Sequence, residues 1–265
     1  MNRLRFTILG CGSSGGVPRI GGHWGECDPA NPRNTRLRCS LLVERLAAQG
    51  TTRALIDTSP DMRLQLLAAG VAKLDAVVFT HAHADHVNGL DDLRQITYNT
   101  GARMPVWADG ETQESLLSRF GYAFVQPADS SYPPICDLHT IRAPFEIAGA
   151  GGSLRFSPIP VRHGDIDALG FRIGPLAYVP DVSEIPETSW QLLEGLDCWV
   201  LDALRRRPHP THVHLSRALE WIARAAPARA VLTNMHIDLD HDAVAAETPA
   251  QVTPAHDGMV LEFAL

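Results

Sequence analysis

The stretch Thr80-His81-Ala82-His83-Ala84-Asp85-His86 decides the fold of this 265-residue chain. It follows the apolar run Ala76–Phe79, which predicts a buried strand. Alternate side chains of an extended segment share a face, so we expect His81 and His83 to point the same way. A turn into a helix then brings the last two residues of the motif to a neighbouring position. Imidazole and carboxylate groups at this density favour a bound divalent cation, which offsets the cost of burying them together.

Further candidate ligands stand just past apolar runs that predict strands: His163 after Leu154–Val161, Asp181 after Leu176–Val179 and His236 after Ala230–Thr233. A site at one edge of a sheet collects such groups from several strand ends. Alone, each of the three is well explained as an ordinary polar residue at a strand end. Because they recur in this order after the histidine motif, they predict one metal site.

Composition limits the class of protein that these ligands serve. With 45% hydrophobic and 20% charged residues, the chain is typical of a folded globular protein. Its five cysteines include no Cys-x-x-Cys pair, which argues against a disulfide framework and favours a cytoplasmic location. No apolar run is long enough for a membrane span, so we expect no membrane partner. The formal net charge of -7 argues against broad binding to nucleic acid.

Short apolar runs predict strands in hairpin-like groups with helices between them. We expect helices over Pro60–Ala69, Glu111–Phe120 and Leu215–Ala226, the last because its apolar residues share one face. This alternation favours an α/β (α+β) sandwich with sheets inside and helices outside. No linker divides residues 1–265, so we expect a single domain. The segment Gly12–Arg38 shows little periodicity, and loops of this length are usually functional or disordered.

The histidine motif resembles the His-x-His-x-Asp-His signature of the metallo-β-lactamase superfamily, and the three later ligands match it in chain order. The resemblance implies a four-layer αββα sandwich with a dinuclear metal centre at one edge. It assigns His81, His83 and His163 to one ion, Asp85, His86 and His236 to the other, and Asp181 as the bridge. Asp85 is also expected to orient the attacking hydroxide. This set lacks a thiolate and does not distinguish Mn²⁺ from Zn²⁺.

Two further segments narrow the resemblance to PhnP-type phosphodiesterases, which are related to tRNase Z: Leu9-Gly10-Cys11-Gly12-Ser13-Ser14-Gly15-Gly16-Val17-Pro18 and Gly89-Leu90-Asp91-Asp92-Leu93-Arg94. This group implies hydrolysis of a small or cyclic phosphodiester by a hydroxide that the two ions activate. A histidine near the C-terminal third assists catalysis in these enzymes. His212 matches it best, as general acid, with His209 and His214 as alternatives.

Candidate substrate-binding residues lie in two turns. The Gly/Ser turn after the first predicted strand exposes backbone N–H groups that suit an anion, which makes Ser13 and Ser14 candidates, although a mere tight turn explains them equally well. Arg206 is a candidate phosphate clamp, because guanidinium binds phosphate in a bidentate manner. A run of three arginines is, however, more often a solvated turn.

PhnP-type enzymes often carry a structural zinc held by three cysteines near the N-terminus and one histidine. Here the corresponding loop retains only Cys27, with His241 as the matching histidine, so we expect this zinc to be absent. Trp24 in the same loop is either an apolar lid over the active site or, more commonly, part of a core.

Three alternatives to a phosphodiesterase stay open. A tRNA 3′-processing endonuclease needs a basic docking arm, which the sequence does not show. A thioester or lactone hydrolase uses the same ligands, and so does a non-catalytic carrier like the pyrroloquinoline-quinone biosynthesis proteins. A homodimer is compatible with the resemblance, because edge strands in this fold often pair.

Overall fold

The computed structural model describes residues 2–126 and 128–265 and divides the chain into two compact units. The first unit comprises Met1–Leu9, Ser40–Arg155 and Val260–Leu265, and the second comprises Gly10–Cys39 and Phe156–Met259. Each unit holds a mixed β-sheet with helices, which confirms the predicted α/β class. The single domain expected from the sequence stays a prediction.

The strands in chain order are β1 (Arg3–Gly10), β2 (Ser40–Ala47), β3 (Gly50–Ile56), β4 (Ala76–Val78), β5 (Met104–Ala108), β6 (Cys136–Thr140), β7 (Phe145–Ile147), β8 (Leu154–His163), β9 (Ile166–Ile173), β10 (Leu176–Val179), β11 (Cys198–Asp202), β12 (Arg229–Thr233), β13 (Val252–Pro254) and β14 (Met259–Ala264). The α-helices are α1 (Met62–Ala68), α2 (Ala84–Val87), α3 (Leu93–Thr100), α4 (Gly110–Phe124), α5 (Glu187–Trp190), α6 (Leu215–Ala225) and α7 (His241–Glu247). Short 3-10 helices cover Pro32–Asn34, Leu90–Asp92 and Gln191–Leu193.

The sheet of the first unit has the strand order β14-β1-β2-β3-β4-β5-β6. Strands β3 to β6 are parallel neighbours, so their carboxyl ends meet at one edge. All three residues of β4 are buried, as predicted for a central strand, and the chain passes from β4 almost directly into the histidine motif. The parallel register therefore places this motif at the edge where a site is expected.

In the second unit, strands β13-β12-β11-β10-β9-β8 are neighbours in that order. Strands β10 to β13 are parallel, while β8 and β9 form an antiparallel hairpin. Asp202 ends β11, Asp181 follows β10 by two residues, and Asn234 follows β12 directly. Because parallel strands end at one edge, polar residues that are far apart in sequence become neighbours within this unit.

The predicted helices are present with shifted ends. Helix α4 is longer than expected and begins after Asp109, whose side chain accepts a hydrogen bond from the Thr112 N–H at 2.8 Å. Helix α6 buries Leu215, Ala218 and Ile222, as its pattern predicts, and Trp221 as well. Within residues 2–126 and 128–265, no helix combines the length and the apolarity that crossing a bilayer requires.

Candidate functional site

The histidine motif of the first unit forms a compact group of rings after β4. The ring centroid of His81 lies 4.6 Å from that of His83 and 4.3 Å from that of His86. Helix α2 begins directly after His83 and turns Asp85 beside His86, with 3.6 Å between Asp85 Oδ2 and His86 Nε2. His81 and His86 are buried and His83 is exposed. The structure thus brings together the four motif residues proposed as ligands.

A buried carboxylate just past β3 fixes two of these rings. Asp57 accepts hydrogen bonds at 2.8 Å from the Thr80 N–H, the Thr80 hydroxyl and Nδ1 of His86. Since the Thr80 hydroxyl donates to Asp57, it accepts from Nδ1 of His81 at 3.0 Å. Burial raises the pKa of Asp57, and the contact with His86 opposes that rise. Asp57 was not foreseen as a site residue, although it ends an apolar run as the other site residues do.

The second unit pairs His163 with Asp181. Nδ1 of His163 donates to the carbonyl oxygen of Thr211 at 2.6 Å, and its Nε2 lies 3.5 Å from Oδ2 of Asp181. Asp181 also accepts from the Asn234 side-chain amide at 3.2 Å. Both His163 and Asp181 are buried. His163 is the last residue of β8 rather than a residue beyond its end, because the hairpin with β9 extends the strand.

His212 lies against this pair, with its ring centroid 4.5 Å from that of His163. Its Nδ1 is 2.9 Å from Oδ2 of buried Asp202, which also accepts from the Val182 N–H at 3.1 Å. Burial raises the pKa of Asp202 to about 7, His212 opposes the rise and nearby Asp181 adds to it. The Asp202–His212 pair was not foreseen, although Asp202 ends an apolar run as Asp57 does, because its partner lies in a separate loop ten residues later.

The two alternative histidines occupy different places. The His209 ring centroid is 5.2 Å from that of His212, and burial lowers the pKa of His209, with His212 adding to the effect. His214 is the residue before α6 and makes no side-chain capping hydrogen bond there. Among the three, His212 is the one that packs on His163 and is held by a buried carboxylate.

Both ring nitrogens of His236 contact other side chains of the second unit, to which His236 itself belongs. Its Nδ1 is 2.9 Å from Oδ1 of Asp238, and its Nε2 contacts Nη2 of Arg19. Asp238 in turn accepts from the backbone N–H of Arg206 at 3.0 Å. These contacts fix the ring and aim Nε2 toward the loop that carries Arg19.

The hydrogen bonds of the candidate ligands fit metal binding. Nδ1 is held by an acceptor in four of the histidines: His81 by Thr80, His86 by Asp57, His163 by Thr211 and His236 by Asp238. A donated Nδ1–H leaves the lone pair on Nε2, which is the arrangement of metal-ligating histidines. His81 and His83 in the first unit, and His163 and Asp181 in the second, are each able to offer one ligand atom to a metal ion. The donor set therefore fits divalent cations.

The candidate substrate-binding residues differ in whether their polar groups are already hydrogen-bonded within the protein. Ser13 is buried, and its N–H donates to the Met235 carbonyl at 3.3 Å, whereas Ser14 is exposed. The N–H groups of Gly12 and Gly16 also donate to carbonyl groups, which leaves little of the turn for an anion. Nη1 of Arg206 donates to both carboxylate oxygens of Glu247, at 2.7 and 2.9 Å. The Arg206 guanidinium is thus already paired with the Glu247 carboxylate.

A buried guanidinium organises the loop where the resemblance implies zinc cysteines. Arg36 donates to the Leu239 carbonyl at 2.7 Å and to Oδ1 of Asn34 at 3.1 Å, and its Nη1 lies 3.8 Å from Sγ of Cys27. Burial raises the pKa of Cys27, and Arg36 opposes this, so the side chain is a neutral thiol. A fixed positive charge beside one thiol does not fit a structural zinc. Trp24 packs against the buried cluster Val17, Cys27 and Ile237, as a core residue does.

Comparison with known proteins shows the family of this chain. The model of the beta-lactamase superfamily domain matches residues 52–237. The chain belongs to this superfamily. Its metallo-β-lactamase fold, an α/β sandwich, confirms the fold class expected from the sequence.

Similar proteins refine the family membership. A crystal structure of a diphosphatase from the PhnP family has a TM-score of 0.87 and 37% identity, covering 99% of this chain and 98% of that one. An octanoyltransferase of Porphyromonas gingivalis is 34% identical over 96% of this chain but only 49% of its own length, so this chain spans about half of that relative. The coenzyme PQQ synthesis protein B of Pseudomonas entomophila is 26% identical, covering 98% of this chain and 100% of that protein.

The PhnP-type resemblance read from the sequence is thereby confirmed. A metallo-β-lactamase fold with imidazole and carboxylate ligands at strand ends supports a metal-dependent hydrolase that uses divalent ions.

Proposed function

We propose that this metallo-β-lactamase-fold protein is a phosphodiesterase that cleaves small or cyclic phosphodiesters. The observation that carries the proposal is His212, an imidazole outside the seven-ligand set that packs on His163 and is held by buried Asp202. A positioned imidazole that binds no metal is suited to protonate a leaving oxygen. The similarity to a PhnP-family diphosphatase supports a phosphoryl substrate.

We assign the ligands as the superfamily motif implies. His81, His83 and His163 would hold one ion, Asp85, His86 and His236 the other, and Asp181 would bridge them. Mn²⁺ and Zn²⁺ both suit this donor set. When bound, such ions activate water and neutralise charge on the non-bridging phosphate oxygens.

The chain's own residues supply orientation and proton transfer. Asp85 orients the attacking water. Asp202 accepts from Nδ1 of His212, which leaves Nε2 to deliver the proton to the leaving oxygen. Burial raises the pKa of Asp202, and the contact with His212 opposes that rise. The Asn234 amide keeps Asp181 in place beside this pair.

The test is hydrolysis of bis(p-nitrophenyl) phosphate by the wild-type protein with added Mn²⁺ or Zn²⁺. His212→Asn should lower kcat by about 10²- to 10⁴-fold with little change in KM. His214→Asn is the matched control and should retain activity. Cleavage of a glutathione thioester without any diester hydrolysis would refute the proposal in favour of a thioesterase.

A further inference from the structure

The buried guanidinium of Arg36 contacts the main chain of a candidate ligand. Its Nη1 donates to the carbonyl oxygen of His236 at 3.4 Å, and its Nη2 donates to that of Leu239 at 2.7 Å. These two carbonyl groups belong to the first and last residues of the segment His236–Leu239. One side chain of a residue that is only 1% exposed therefore holds both ends of the segment that begins with the ligand.

The same segment orients the ring of His236. Asp238 lies inside the segment, with its Oδ1 2.9 Å from Nδ1 of His236, and the Leu239 N–H donates to the His236 carbonyl at 3.1 Å. The carboxylate that directs the ring thus stands one residue before a carbonyl that Arg36 holds. A shift of this main chain would move Asp238 and His236 together, and with them Nε2, the nitrogen available for coordination.

Arg36 is itself fixed in the loop that precedes β2. Its N–H donates to the Val17 carbonyl at 2.8 Å, and its carbonyl accepts from the Val17 N–H at 2.9 Å. Its Nη2 also donates to Oδ1 of Asn34 at 3.1 Å. That oxygen accepts from the His241 N–H at 2.8 Å as well, and the Asn34 amide donates to Asp240 at 2.6 Å. The guanidinium therefore joins this loop both to the segment and to the start of α7.

The acceptors around Arg36 indicate a role in position rather than in packing. A buried guanidinium costs free energy unless its N–H groups are hydrogen-bonded, and an apolar side chain would fill the same space without that cost. A planar fork of N–H donors holds the oxygens that it contacts at defined angles. Without these donors, the Leu239 carbonyl would lose its 2.7 Å hydrogen bond and the segment would lose its link to the loop.

We infer that Arg36 is a positioning residue of the metal centre, whose guanidinium holds the segment His236–Leu239 so that His236 meets its ion at a fixed place. A covalently attached cation then takes the structural role that the PhnP-type resemblance assigns to a zinc ion beside Cys27. This inference rests on the assignment of His236 as a ligand in the proposed function. Arg36 acts through His236 rather than on the substrate.

The experiment measures Zn²⁺ binding to the chelator-treated protein by titration calorimetry, with elemental analysis after dialysis to count the ions retained. Arg36→Met should weaken binding of the ion assigned to His236 by about 10- to 100-fold, the usual cost of losing a group that supports a ligand. Arg36→Lys should weaken it less, because lysine retains the charge without the planar fork. Arg33→Met removes an exposed guanidinium from the same loop and should leave Zn²⁺ binding unchanged.

A double-variant cycle shows whether Arg36 acts through His236. His236→Ala should itself weaken binding of the same ion. When Arg36→Met is combined with His236→Ala, it should cause no further loss of Zn²⁺ affinity, because the residue that it positions is already gone. Equal losses from Arg36→Met in the presence and in the absence of the His236 side chain would overturn the positioning role.

A second control separates position from stability. Ile222→Ala opens a cavity beneath α6 instead of in the loop, and it should lower the midpoint of urea unfolding while Zn²⁺ affinity stays at the wild-type value. An equal loss of Zn²⁺ affinity in Ile222→Ala would reduce the effect of Arg36 to general instability and contradict the inference. If Arg36→Met does not fold, Arg36→Lys carries the same cycle.

The outcomes for this inference and for the proposed function are distinct. Wild-type Zn²⁺ affinity in the folded Arg36 variants overturns the inference and leaves the phosphodiesterase proposal standing. Wild-type affinity in His236→Ala overturns the ligand assignment and the inference with it. Zn²⁺ binding that depends on Arg36 through His236, in a protein that hydrolyses no phosphate ester, supports the role of Arg36 and refutes the proposed activity.

Discussion

Asp57 accepts a hydrogen bond at 2.8 Å from Nδ1 of His86, a residue 29 positions later in the chain. The same carboxylate accepts from the N–H and hydroxyl groups of Thr80. One buried acid just past β3 thus sets the orientation of His86, a proposed ligand on α2, and of the segment that carries His81. Replacing Asp57 should weaken metal binding more than it destabilises the fold as a whole.

Asp57→Asn should weaken binding of Mn²⁺ or Zn²⁺ by about 10- to 100-fold, as loss of the acceptor behind a ligand histidine does. An amide nitrogen at this position cannot accept from His86. Titration calorimetry and elemental analysis of the dialysed protein give the measurement. Asp137→Asn, which removes a carboxylate 3.0 Å from the guanidinium of Arg103, is the control. Equal metal affinity in both variants would mean that Asp57 does not orient the ligand.

Asp202 and His212 should behave as one unit in catalysis. Asp202→Asn is expected to lower kcat, because the ring of His212 loses the carboxylate that fixes its tautomer. The double variant with His212→Asn should be no slower than His212→Asn alone, since groups that act together are not additive. The measurement is steady-state hydrolysis of bis(p-nitrophenyl) phosphate. If the double variant lost kcat by the product of the two single losses, Asp202 and His212 would have independent roles.

Glycine 89, which follows the histidine motif, should resist substitution. A Cβ atom there would lie 2.1 Å from the Ser59 carbonyl oxygen and 3.0 Å from Cβ of Met62. Gly89→Ala should therefore destabilise the protein by about 1–3 kcal/mol, the usual cost of overpacking. Gly121→Ala lies in α4 with nothing within 4 Å of the new atom, and should be neutral or stabilising by up to about 1 kcal/mol. Urea unfolding compares the two, and equal effects would contradict the steric argument.

Asp257 should make stability depend on pH. Burial raises its pKa from 3.8 to about 6, against the hydrogen bonds from the N–H groups of Leu37 and Cys11. Between these values the folded state holds a proton that the unfolded chain releases, so this group's contribution to stability falls as pH rises. The free energy of unfolding of wild type minus that of Asp257→Asn should decrease from about pH 4 to about pH 6 and then level off. A difference that grows with pH would mean that the hydrogen bonds outweigh burial.

Metal removal should lower thermal stability, because the buried groups His81, His163 and Asp181 are ligands in the proposed site. A ligand at 100 times its Kd stabilises the folded state by about 2.7 kcal/mol. Dialysis against a chelator should therefore lower the midpoint of unfolding, and Mn²⁺ or Zn²⁺ should restore it. His81→Ala should show a smaller restoration. Identical melting curves with and without metal would count against the ligand assignment.

Site residues that directly follow an apolar run can be predicted from the sequence. Residues that reach the site only because of the order in which strands pair cannot. The histidine motif, Asp181 and His236 all follow apolar runs, so their place at strand ends is readable. Other groups contact residues that are distant in sequence, on neighbouring parallel strands or loops: Asp57, Asp202 and the Thr211 carbonyl. The pairing of strands cannot be read from any single segment of the sequence. Strands β6 and β7 were not foreseen, because each buries only one of its residues.

Arg19 and Arg206 illustrate the same limit. Both are arginines in irregular loops, where periodicity gives no guidance. Only the three-dimensional contacts distinguish Arg206, whose guanidinium is paired with Glu247, from Arg19, which contacts the candidate ligand His236.

The guanidinium of Arg36 has a practical consequence for any apoprotein. It links Cys27, Asn34 and Leu239 through a charge that is covalently part of the chain, and no chelator extracts it. The packing of Trp24 on Val17 and Ile237 should accordingly survive demetallation. Fluorescence of the Trp24 indole would then serve as an internal reference that distinguishes loss of the metal ion from unfolding of the protein.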